Sequence, residues 1–442
     1  SGAPQPIVAG ATYKAFGPLA SLALGNGLSE SRSFDARYRP VAIDVPGLLD
    51  QRYQTDAAGN IRSIDRAVGP DRFFATYAYQ DPQYFLTEGN GPWGQRAWSY
   101  DRIGNRLSET PPAGDRDLPP EGILGDTYAT NPAGGNTPKL SRIEPAPGGE
   151  PGSFLAYGYD AAGDQTTVER LSAECSARTS LLDYSAERRL ARLRTSDGTA
   201  TTDLSYDGRG FLQRSQLTFS DSNDFIRTEP VYSSDGLLLV RKFHHQNTRK
   251  GPGDGGSATH PVTQHTTSLF YFAGRPVAQL RQFQAGGGAD ELLFITTDHL
   301  GVPILATDGA GAQVWAGGLD PFGEPFAFPR TGPPDDEEPP PPPPGEEATA
   351  NSCEPEEPAG PQGLIPLENA GLFLRFPGQR DDPSFASHGL RGGLYYNVAR
   401  WYQPGTGRYS GPDPIGLAGG DNLFVYVMSN PLANIDPSGL QL

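Results

Sequence analysis

The sequence predicts an all-β protein in which β-hairpins join side by side into one large, coiled antiparallel sheet. The first observation is its glycine and proline content, 56 Gly and 44 Pro among 442 residues, because these residues interrupt helices at about 1 and about 3 kcal/mol each. The second is a loose repeat of aromatic residue, Asp and Gly. The third is a supply of large side chains for an interior, 19 Tyr, 21 Phe and 4 Trp.

The repeat unit is an aromatic residue, usually followed by Asp, then by Gly, and then by alternating apolar and polar residues. Its copies begin at Phe34, Tyr53, Tyr100, Tyr159, Tyr206, Tyr232 and Tyr271, with a degenerate copy at Tyr184. The steps from Tyr184 to Tyr206 and on to Tyr232 are 22 and 26 residues. Such a period suits one hairpin per unit and indicates a repeat architecture.

Each part of the unit has a physical role in a hairpin. Asp accepts backbone hydrogen bonds in the turn, Gly supplies positive φ, and Tyr packs its ring against the next unit while its hydroxyl finds a partner. Because an isolated hairpin is marginal in water, the units must pair laterally. We therefore predict strand, turn and strand in every unit.

The charge balance limits the partners. With 35 Lys and Arg against 52 Asp and Glu, the net charge is −17. Nucleic-acid binding needs a basic face, so we expect the folded body to bind no nucleic acid and favour a basic protein partner. We find no apolar run long enough to span a membrane and no signal peptide at the N-terminus. Since Met428 is the only methionine, we expect a piece of a longer protein.

One segment, residues 331–362, differs from its surroundings. It carries nine carboxylates, no Lys or Arg, and 11 of the prolines, six of them consecutive. Such a composition favours extended, solvated chain over packing. We predict a disordered acidic insertion in a surface loop, and a Pro-rich ligand for a recognition module is the alternative.

The sequence gives no reason to expect a cofactor or a metal ion. Cys175 and Cys353 alone define neither a disulfide framework nor a cysteine metal site. The six histidines lack a ligand spacing such as HExxH. The Gly-rich segments at Gly251 and Ala285 lack a phosphate-binding Lys, which favours flexible hairpin loops.

Two DPxGL motifs begin at Asp413 and Asp436. Asp, Pro and Gly at these positions fit a type I turn, and Asp320 begins a similar DPFG turn where we expect no catalysis. On local sequence alone the motifs are turns rather than catalytic carboxylates. Between them, a short helix is possible from about Asn422 to Ser429.

The final third of the chain resembles the bacterial Rhs family, also called YD-repeat proteins, which includes the C components of insecticidal Tc toxins. Residues 298–323, with DHLG, and residues 374–440, with GLYYNVARWYQPGTGRYSGPDPIGLAGGDN and NPLANIDPSGL, carry the resemblance. It implies a hollow β shell over residues 1–330 and, after the insertion, an Rhs-associated core domain over residues 363–442 that closes the shell. The core domain would cut the chain and leave a C-terminal toxin enclosed.

The resemblance also implies functional residues. Asp413 and Asp436 match the family's aspartic-protease-like pair, and Arg400 matches its assisting arginine. The pair would share one proton and hydrolyse the Leu440–Gln441 bond in cis, once per molecule. Arg400 would stabilise the developing oxyanion or form a structural ion pair. Because two residues follow that bond, the chain is uncut, carries a short appended tail, or is cut after Leu442.

Two classes of function therefore remain open. In the first, the protein is an exported bacterial effector whose partners are its own cleaved toxin and, on the N-terminal side, a secretion apparatus or a Tc-type protein. In the second, it is an adhesion module like the animal teneurins, with DPxGL motifs that serve only as turns. Carbohydrate binding by the aromatic residues of the repeats is a third interpretation, but no group of residues in the sequence favours it over buried tyrosines.

Overall fold

The computed structural model describes most of the chain. The described residues are 6–110, 124–130, 136–145, 154–172, 175–246, 263–284, 288–327, 371–388, 390 and 393–440. The predicted insertion at 331–362, Cys353 and Gln441 lie outside them. Within these ranges, the structure contains no helix with the length and apolar character that crossing a membrane requires.

The fold is all-β, as the sequence predicts. The first thirteen strands of the large sheet are β1 (Val8–Tyr13), β2 (Leu19–Leu24), β3 (Ser29–Phe34), β4 (Pro40–Val45), β5 (Leu49–Thr55), β6 (Ile61–Val68), β7 (Asp71–Gln80), β8 (Phe85–Gly91), β9 (Gly94–Tyr100), β10 (Arg106–Thr110), β11 (Leu124–Thr130), β12 (Asn136–Pro145) and β13 (Phe154–Tyr159). The others are β14 (Gln165–Ser172), β15 (Cys175–Tyr184), β16 (Leu190–Thr195), β17 (Ala200–Tyr206), β18 (Leu212–Phe219), β19 (Phe225–Tyr232), β20 (Leu238–Gln246), β21 (Thr263–Phe272), β22 (Arg275–Phe283), β23 (Glu291–Thr297), β24 (Pro303–Thr307), β25 (Gln313–Leu319) and β26 (Pro325–Ala327).

The 26 strands form one antiparallel meander. Each described strand pairs with the strands before and after it in the chain, from β1 with β2 to β25 with β26. Burial alternates along the strands, with Leu49, Gln51 and Tyr53 buried in β5 and the residues between them more exposed. One face of the sheet therefore holds the core, which is typical of antiparallel sheets.

The repeat turns confirm the hairpin prediction. In the turn between β17 and β18, Oδ1 of Asp207 accepts hydrogen bonds from the backbone N–H groups of Arg209 and Phe211, at 2.9 and 3.0 Å. The hydroxyl of Tyr206 donates to the carbonyl of Leu190 in the preceding unit, 2.7 Å away. In the degenerate unit, Ser185 takes the place of Asp as acceptor. Local turn chemistry thus fixes the hairpins of these two units.

The sheet coils back over itself. The Arg32 guanidinium of β3 donates to the carbonyls of Thr297 and Asp298 at the end of β23, and Arg66 of β6 donates to the carbonyl of Gly317 in β25. The first strands therefore lie on the last ones through side chains, and the described strands do not close into a barrel by pairing edge to edge.

The C-terminal residues 371–440, here called the core segment, pack against the inner face of the sheet. They contain a small sheet of β27 (Tyr395–Asn397), β28 (Arg400–Gln403) and β29 (Arg408–Tyr409). Their 3₁₀ turns are Pro383–His388, Pro404–Thr406, Gly416–Gly419 and Val427–Ser429. The other described residues are irregular and mostly buried, so tertiary contacts hold them in place.

The short helix that the sequence suggests from Asn422 to Ser429 is reduced to the last of these 3₁₀ turns. The reason is that the carbonyls of Leu423 and Phe424 accept hydrogen bonds from the backbone N–H groups of Asp413 and Tyr409. A helix needs those carbonyls for itself.

Repeat turns receive the core segment directly. The side-chain amide of Asn430 donates to Oδ1 of Asn60, 3.0 Å away, and that of Asn422 donates to Oδ1 of Asn105, 2.9 Å away. Asn60 and Asn105 end two repeat turns of the same form, DAAGN and DRIGN, and both are buried. The turns of the sheet thus serve as docking points for the core segment.

Asp382 is a second anchor of the core segment. Its carboxylate, fully buried, accepts hydrogen bonds from Ser215 of β18 and Thr228 of β19, at 2.7 and 2.8 Å, and lies 3.1 Å from Nη1 of Arg380. Burial alone would raise the pKa of Asp382, but Arg380 and the two hydroxyls outweigh it and lower the pKa below its usual value.

We expect Asp382→Ala to lower the free energy of unfolding by about 3–5 kcal/mol at neutral pH, because it leaves the Arg380 charge buried and unpaired. Since the pKa is depressed in the folded state, the stabilisation is present above the ordinary Asp pKa of 3.8 and is lost as the pH falls through the lower, folded-state value. Denaturant unfolding at several pH values measures both effects.

The matched control is Asp203→Ala, which breaks the exposed pair with Arg192 (51% and 54% exposed) and should cost less than about 1 kcal/mol. Equal losses in the two variants would contradict the anchoring role of Asp382.

Candidate active site

The small sheet of the core segment positions the predicted arginine. Asn397 in β27 pairs with Arg400 in β28, so the chain reverses tightly through Val398, whose φ is 51°. Tyr409 in β29 lies under Arg400, with the guanidinium carbon 3.6 Å from the ring centre. The guanidinium therefore has a flat aromatic support on one face.

The two DPxGL segments converge on this arginine. Nη2 of Arg400 lies 2.9 Å from Oδ2 of Asp413 and 3.1 Å from Oδ2 of Asp436. The two carboxylate oxygens are therefore separated by no more than the sum of those distances. The structure thus brings together all three residues that the sequence singled out.

Each aspartate also makes a turn with its other oxygen. Oδ1 of Asp413 accepts the backbone N–H of Ile415 at 3.0 Å, and Oδ1 of Asp436 accepts that of Leu440 at 3.1 Å. The turn interpretation of the motifs is therefore correct for one oxygen of each carboxylate. It leaves unexplained why both second oxygens meet at Arg400.

Arg400 is held by further bonds to the backbone. Its Nη1 donates to the carbonyl of Leu423, 3.1 Å away, and its Nε donates to the carbonyl of Gly439. That carbonyl precedes Leu440, the residue before the predicted scissile bond. Arg400 therefore contacts both carboxylates and the chain that leads to the bond.

The chain from Asp436 to Leu440 has little freedom. Gly439 has a φ of 69°, and a Cβ placed on it would lie 2.3 Å from the carbonyl oxygen of Asn397. Ala399 donates its backbone N–H to the carbonyl of Ser438 at 3.1 Å. Only glycine fits at position 439, and this close approach fixes Leu440 beside the carboxylates. Gln441 lies outside the described residues.

The site is closed to solvent. Asp436 is 0% exposed, and Asp413 and Arg400 are each 6% exposed. One guanidinium therefore faces two buried carboxylates. Burial also raises the pKa of the neighbouring Tyr409 well above its usual value, so this hydroxyl keeps its proton.

Sequence reasoning assigned no role to Tyr409 and Asn397, although both contact the pair. The Tyr409 hydroxyl donates to Oδ2 of Asp436, 2.7 Å away. The Asn397 amide donates to the Tyr409 hydroxyl at 2.7 Å and to the Asp436 carbonyl at 2.9 Å. A Tyr in GRYSGP and an Asn in YYNVAR carry no local signal of this, because the contacts arise only when three segments converge.

Asp320 of the DPFG motif offers a comparison. Its Oδ1 accepts the backbone N–H groups of Phe322 and Glu324, and its Oδ2 lies 3.2 Å from Nη1 of Arg96. Burial raises the pKa of Asp320 to about 6, against the lowering effect of Arg96. Three DPxG turns thus place a buried aspartate beside an arginine, and Arg400 contacts two of them, Asp413 and Asp436.

Among the described residues, no group of three or more His, Cys, Asp or Glu side chains is arranged to hold a metal ion. Two carboxylates beside a fixed positive charge, Arg400, have the groups that acid–base chemistry needs.

Curated proteins similar to this chain include several toxins, whereas no protein-family model matches it. It is 24% identical over 413 residues to Double-stranded DNA deaminase toxin A of Burkholderia cenocepacia, which covers 89% of this chain and 25% of that protein. It is 31% identical over 153 residues to Toxin protein Tse5 of Pseudomonas aeruginosa (35% of this chain, 8% of that protein). Over 68 residues it is 48% identical to the Probable deoxyribonuclease RhsA of Dickeya dadantii (15% and 4%). The chain thus spans a quarter or less of these relatives.

Solved structures share the fold over nearly the whole chain. The crystal structure of TcdB2-TccC3-TEV gives a TM-score of 0.63 at 19% identity, covering 99% of this chain and 19% of that one. TcdB2-TccC3-Cdc42 gives 0.51 at 20% identity, covering 98% and 19%.

A coiled meander of Tyr-Asp hairpins, wrapped against a C-terminal core segment with paired DPxGL turns, defines a YD-repeat shell. The similarity to proteins named as toxins and as RhsA, together with the shared fold, supports the Rhs family of YD-repeat proteins. The resemblance seen in its sequence is thereby confirmed.

Proposed function

We propose that this chain is part of a toxin-carrying shell whose core segment releases the C-terminal part of its own polypeptide by autoproteolysis after Leu440. The observation that carries the proposal is the contact of one atom, Nη2 of Arg400, with both Asp413 and Asp436. The same guanidinium holds the carbonyl of Gly439, directly before the residue to be cut.

The chemistry is hydrolysis by two carboxylates that share a proton. The ionised carboxylate takes a proton from water, and the oxygen of that water bonds to the carbonyl carbon of Leu440. The protonated carboxyl group hydrogen-bonds the carbonyl oxygen as its negative charge develops. The bond to the nitrogen of Gln441 then breaks, and that nitrogen receives a proton from the pair.

The reaction is confined to the molecule's own chain. Both carboxylates are buried, and the segment that reaches them is their own, since the Leu440 N–H donates to Asp436 and the Gly439 carbonyl accepts from Arg400. Holding the reacting groups together in this way is worth an effective concentration of about 10⁵ M or more. A single turnover in cis follows.

The cargo and the export of the protein are inferred from its relatives. Three similar proteins are named as a toxin or a deoxyribonuclease, and the fold is that of a Tc toxin structure. These likenesses support an exported bacterial effector that carries a toxin and meets a secretion apparatus or a Tc-type partner. The division into a shell at 1–330, an acidic insertion and a core domain at 363–442 belongs to this proposal.

The alternative function, a teneurin-like adhesion module, explains fewer of the contacts around Arg400. It requires the DPxGL aspartates only as turn residues, a role that Oδ1 of each carboxylate already performs. It gives no reason for both Oδ2 atoms to meet at Arg400, 2.9 and 3.1 Å away.

The test uses the natural gene product with an epitope tag at its C-terminus. We expect two chains after purification, with intact masses that place the cut after Leu440, and a released fragment whose N-terminal residue is Gln441. A cut after Leu442 would move the scissile bond but keep the reaction. A single intact chain in a folded protein would contradict autoproteolysis.

A further inference from the structure

The hydroxyl of Tyr409 is the buried titratable group nearest to the pair that the mechanism above does not use. It lies 2.7 Å from Oδ2 of Asp436, whereas the carboxylate of Asp413 contacts the guanidinium of Arg400 and the backbone N–H of Ile415. The two carboxylates are therefore not equivalent. The question is which way the proton of that hydroxyl points.

Asn397 decides the direction. Its side-chain NH₂ faces the backbone carbonyl of Asp436, which can only accept a hydrogen bond. The reverse orientation of the amide would bring two acceptor oxygens together, so the NH₂ group must lie on this side. It then also donates to the Tyr409 hydroxyl, 2.7 Å away. The hydroxyl accepts from Asn397 and gives its only proton to Asp436.

Asp436 is consequently surrounded by donors. Its Oδ2 accepts hydrogen bonds from the Tyr409 hydroxyl and from Nη2 of Arg400, and these two donors occupy both lone pairs of that oxygen. Its Oδ1 accepts a hydrogen bond from the N–H of Leu440. A proton on Oδ2 of Asp436 would point at these two donors and displace one of their hydrogen bonds, and Asp436 is 0% exposed, so water could not replace it. Asp413, at 6% exposed, has the N–H of Ile415 at its Oδ1 and Nη2 of Arg400, 2.9 Å away, at its Oδ2.

We propose that Tyr409 is a positioning residue that keeps Asp436 ionised, so that Asp436 takes the proton from water and Asp413 carries the shared proton. This inference rests on the proposed autoproteolysis and assigns roles within its pair. Tyr409 acts through Asp436 and Arg400, with its ring 3.6 Å below the guanidinium. Besides Tyr409, the titratable or charged side chains that face Asp436 include Arg400, Asp413 and Tyr426.

The substitution Tyr409→Phe tests the role because it keeps the ring under Arg400 and removes only the donor. We expect slower self-cleavage and an acidic limb of the pH–rate profile that moves to higher pH by about one unit, since a carboxylate that loses a charge-assisted hydrogen bond binds protons more readily. The tagged natural protein is made by cell-free synthesis with a labelled pulse, and its cleavage is measured during a chase in buffers of different pH.

The matched control is Tyr402→Phe. Tyr402 is equally buried in the same small sheet, but its hydroxyl donates to the carbonyl of Phe322. We expect this variant to leave the acidic limb in place. If Tyr409 has only a structural role, both variants should change the yield of folded protein and leave the acidic limb of the pH–rate profile where it is. That result would overturn the proposal.

Incorporation of 3,5-difluorotyrosine at position 409 gives a second test with the opposite sign, in case Tyr409→Phe does not fold. The fluorinated hydroxyl is a stronger donor, so the acidic limb should move to lower pH. An unmoved limb, or a shift to higher pH, would contradict the role of Tyr409. If instead Asp436→Asn is cut at the normal rate, the proposed autoproteolysis itself fails, and the two failures are thus distinguishable.

Discussion

Replacement of either aspartate, in Asp413→Asn or in Asp436→Asn, is expected to slow self-cleavage by about 10²–10⁴-fold, because each variant removes one member of the acid–base pair. Asn keeps the size of the side chain and an oxygen that accepts the turn hydrogen bond of Ile415 or Leu440. The fold should survive. Gel analysis of the tagged natural protein, with intact mass, measures the cut fraction over time.

The matched control is Asp308→Asn. Asp308 has the same turn role, since its Oδ1 accepts the N–H groups of Ala310 and Ala312 at 2.9 and 2.8 Å, but it lies in the turn between β24 and β25. We expect normal cleavage in this variant. Processing of Asp413→Asn and Asp436→Asn at the control's rate would refute the assignment of the pair.

Arg400→Gln is expected to have the second large effect. It leaves two buried carboxylates without their cation, which should destabilise the core segment by about 3–5 kcal/mol. It also removes the donor that holds the Gly439 carbonyl. Thermal unfolding measures the first loss, and the cut fraction of the protein that remains folded measures the second.

Arg400→Lys separates a structural role from a role in cleavage. Lysine restores the positive charge but is a single point donor, which cannot reach both aspartates and the Gly439 carbonyl as the guanidinium fork does. We expect it to recover most of the stability and little of the cleavage. If cleavage returns in proportion to stability, Arg400 is only an ion-pair partner.

Much of the fold follows from local sequence. Tyr, Asp and Gly at hairpin spacing predict the repeats because the turn chemistry lies within five residues, as in Asp207–Phe211. The helix predicted from Asn422 to Ser429 was wrong over most of its length, because carbonyls in this stretch accept hydrogen bonds from residues that are distant in sequence. Local propensity does not include such competition.

The candidate site was predicted only in part, and by family resemblance. Local sequence correctly indicated turns at Asp413 and Asp436, and their meeting at Arg400 required the motifs of a known family. Tyr409 and Asn397 were missed because their geometry depends on β27, β29 and the last turn packing together. The roles of all these residues in cleavage remain predictions.

The docking of the core segment on the repeat turns determines when, during synthesis, the candidate site can assemble. Asn430 bonds Asn60, a residue made 370 positions earlier, and at about 5–20 residues per second a ribosome needs roughly 20–70 s for that distance. The first hairpins can pair as they emerge, but the residues around Asp413 and Asp436 find their supports only when the core segment has been made. Under the proposed function, cleavage would therefore follow the docking of the core segment, and the C-terminal part of the polypeptide would be released only after the sheet has folded.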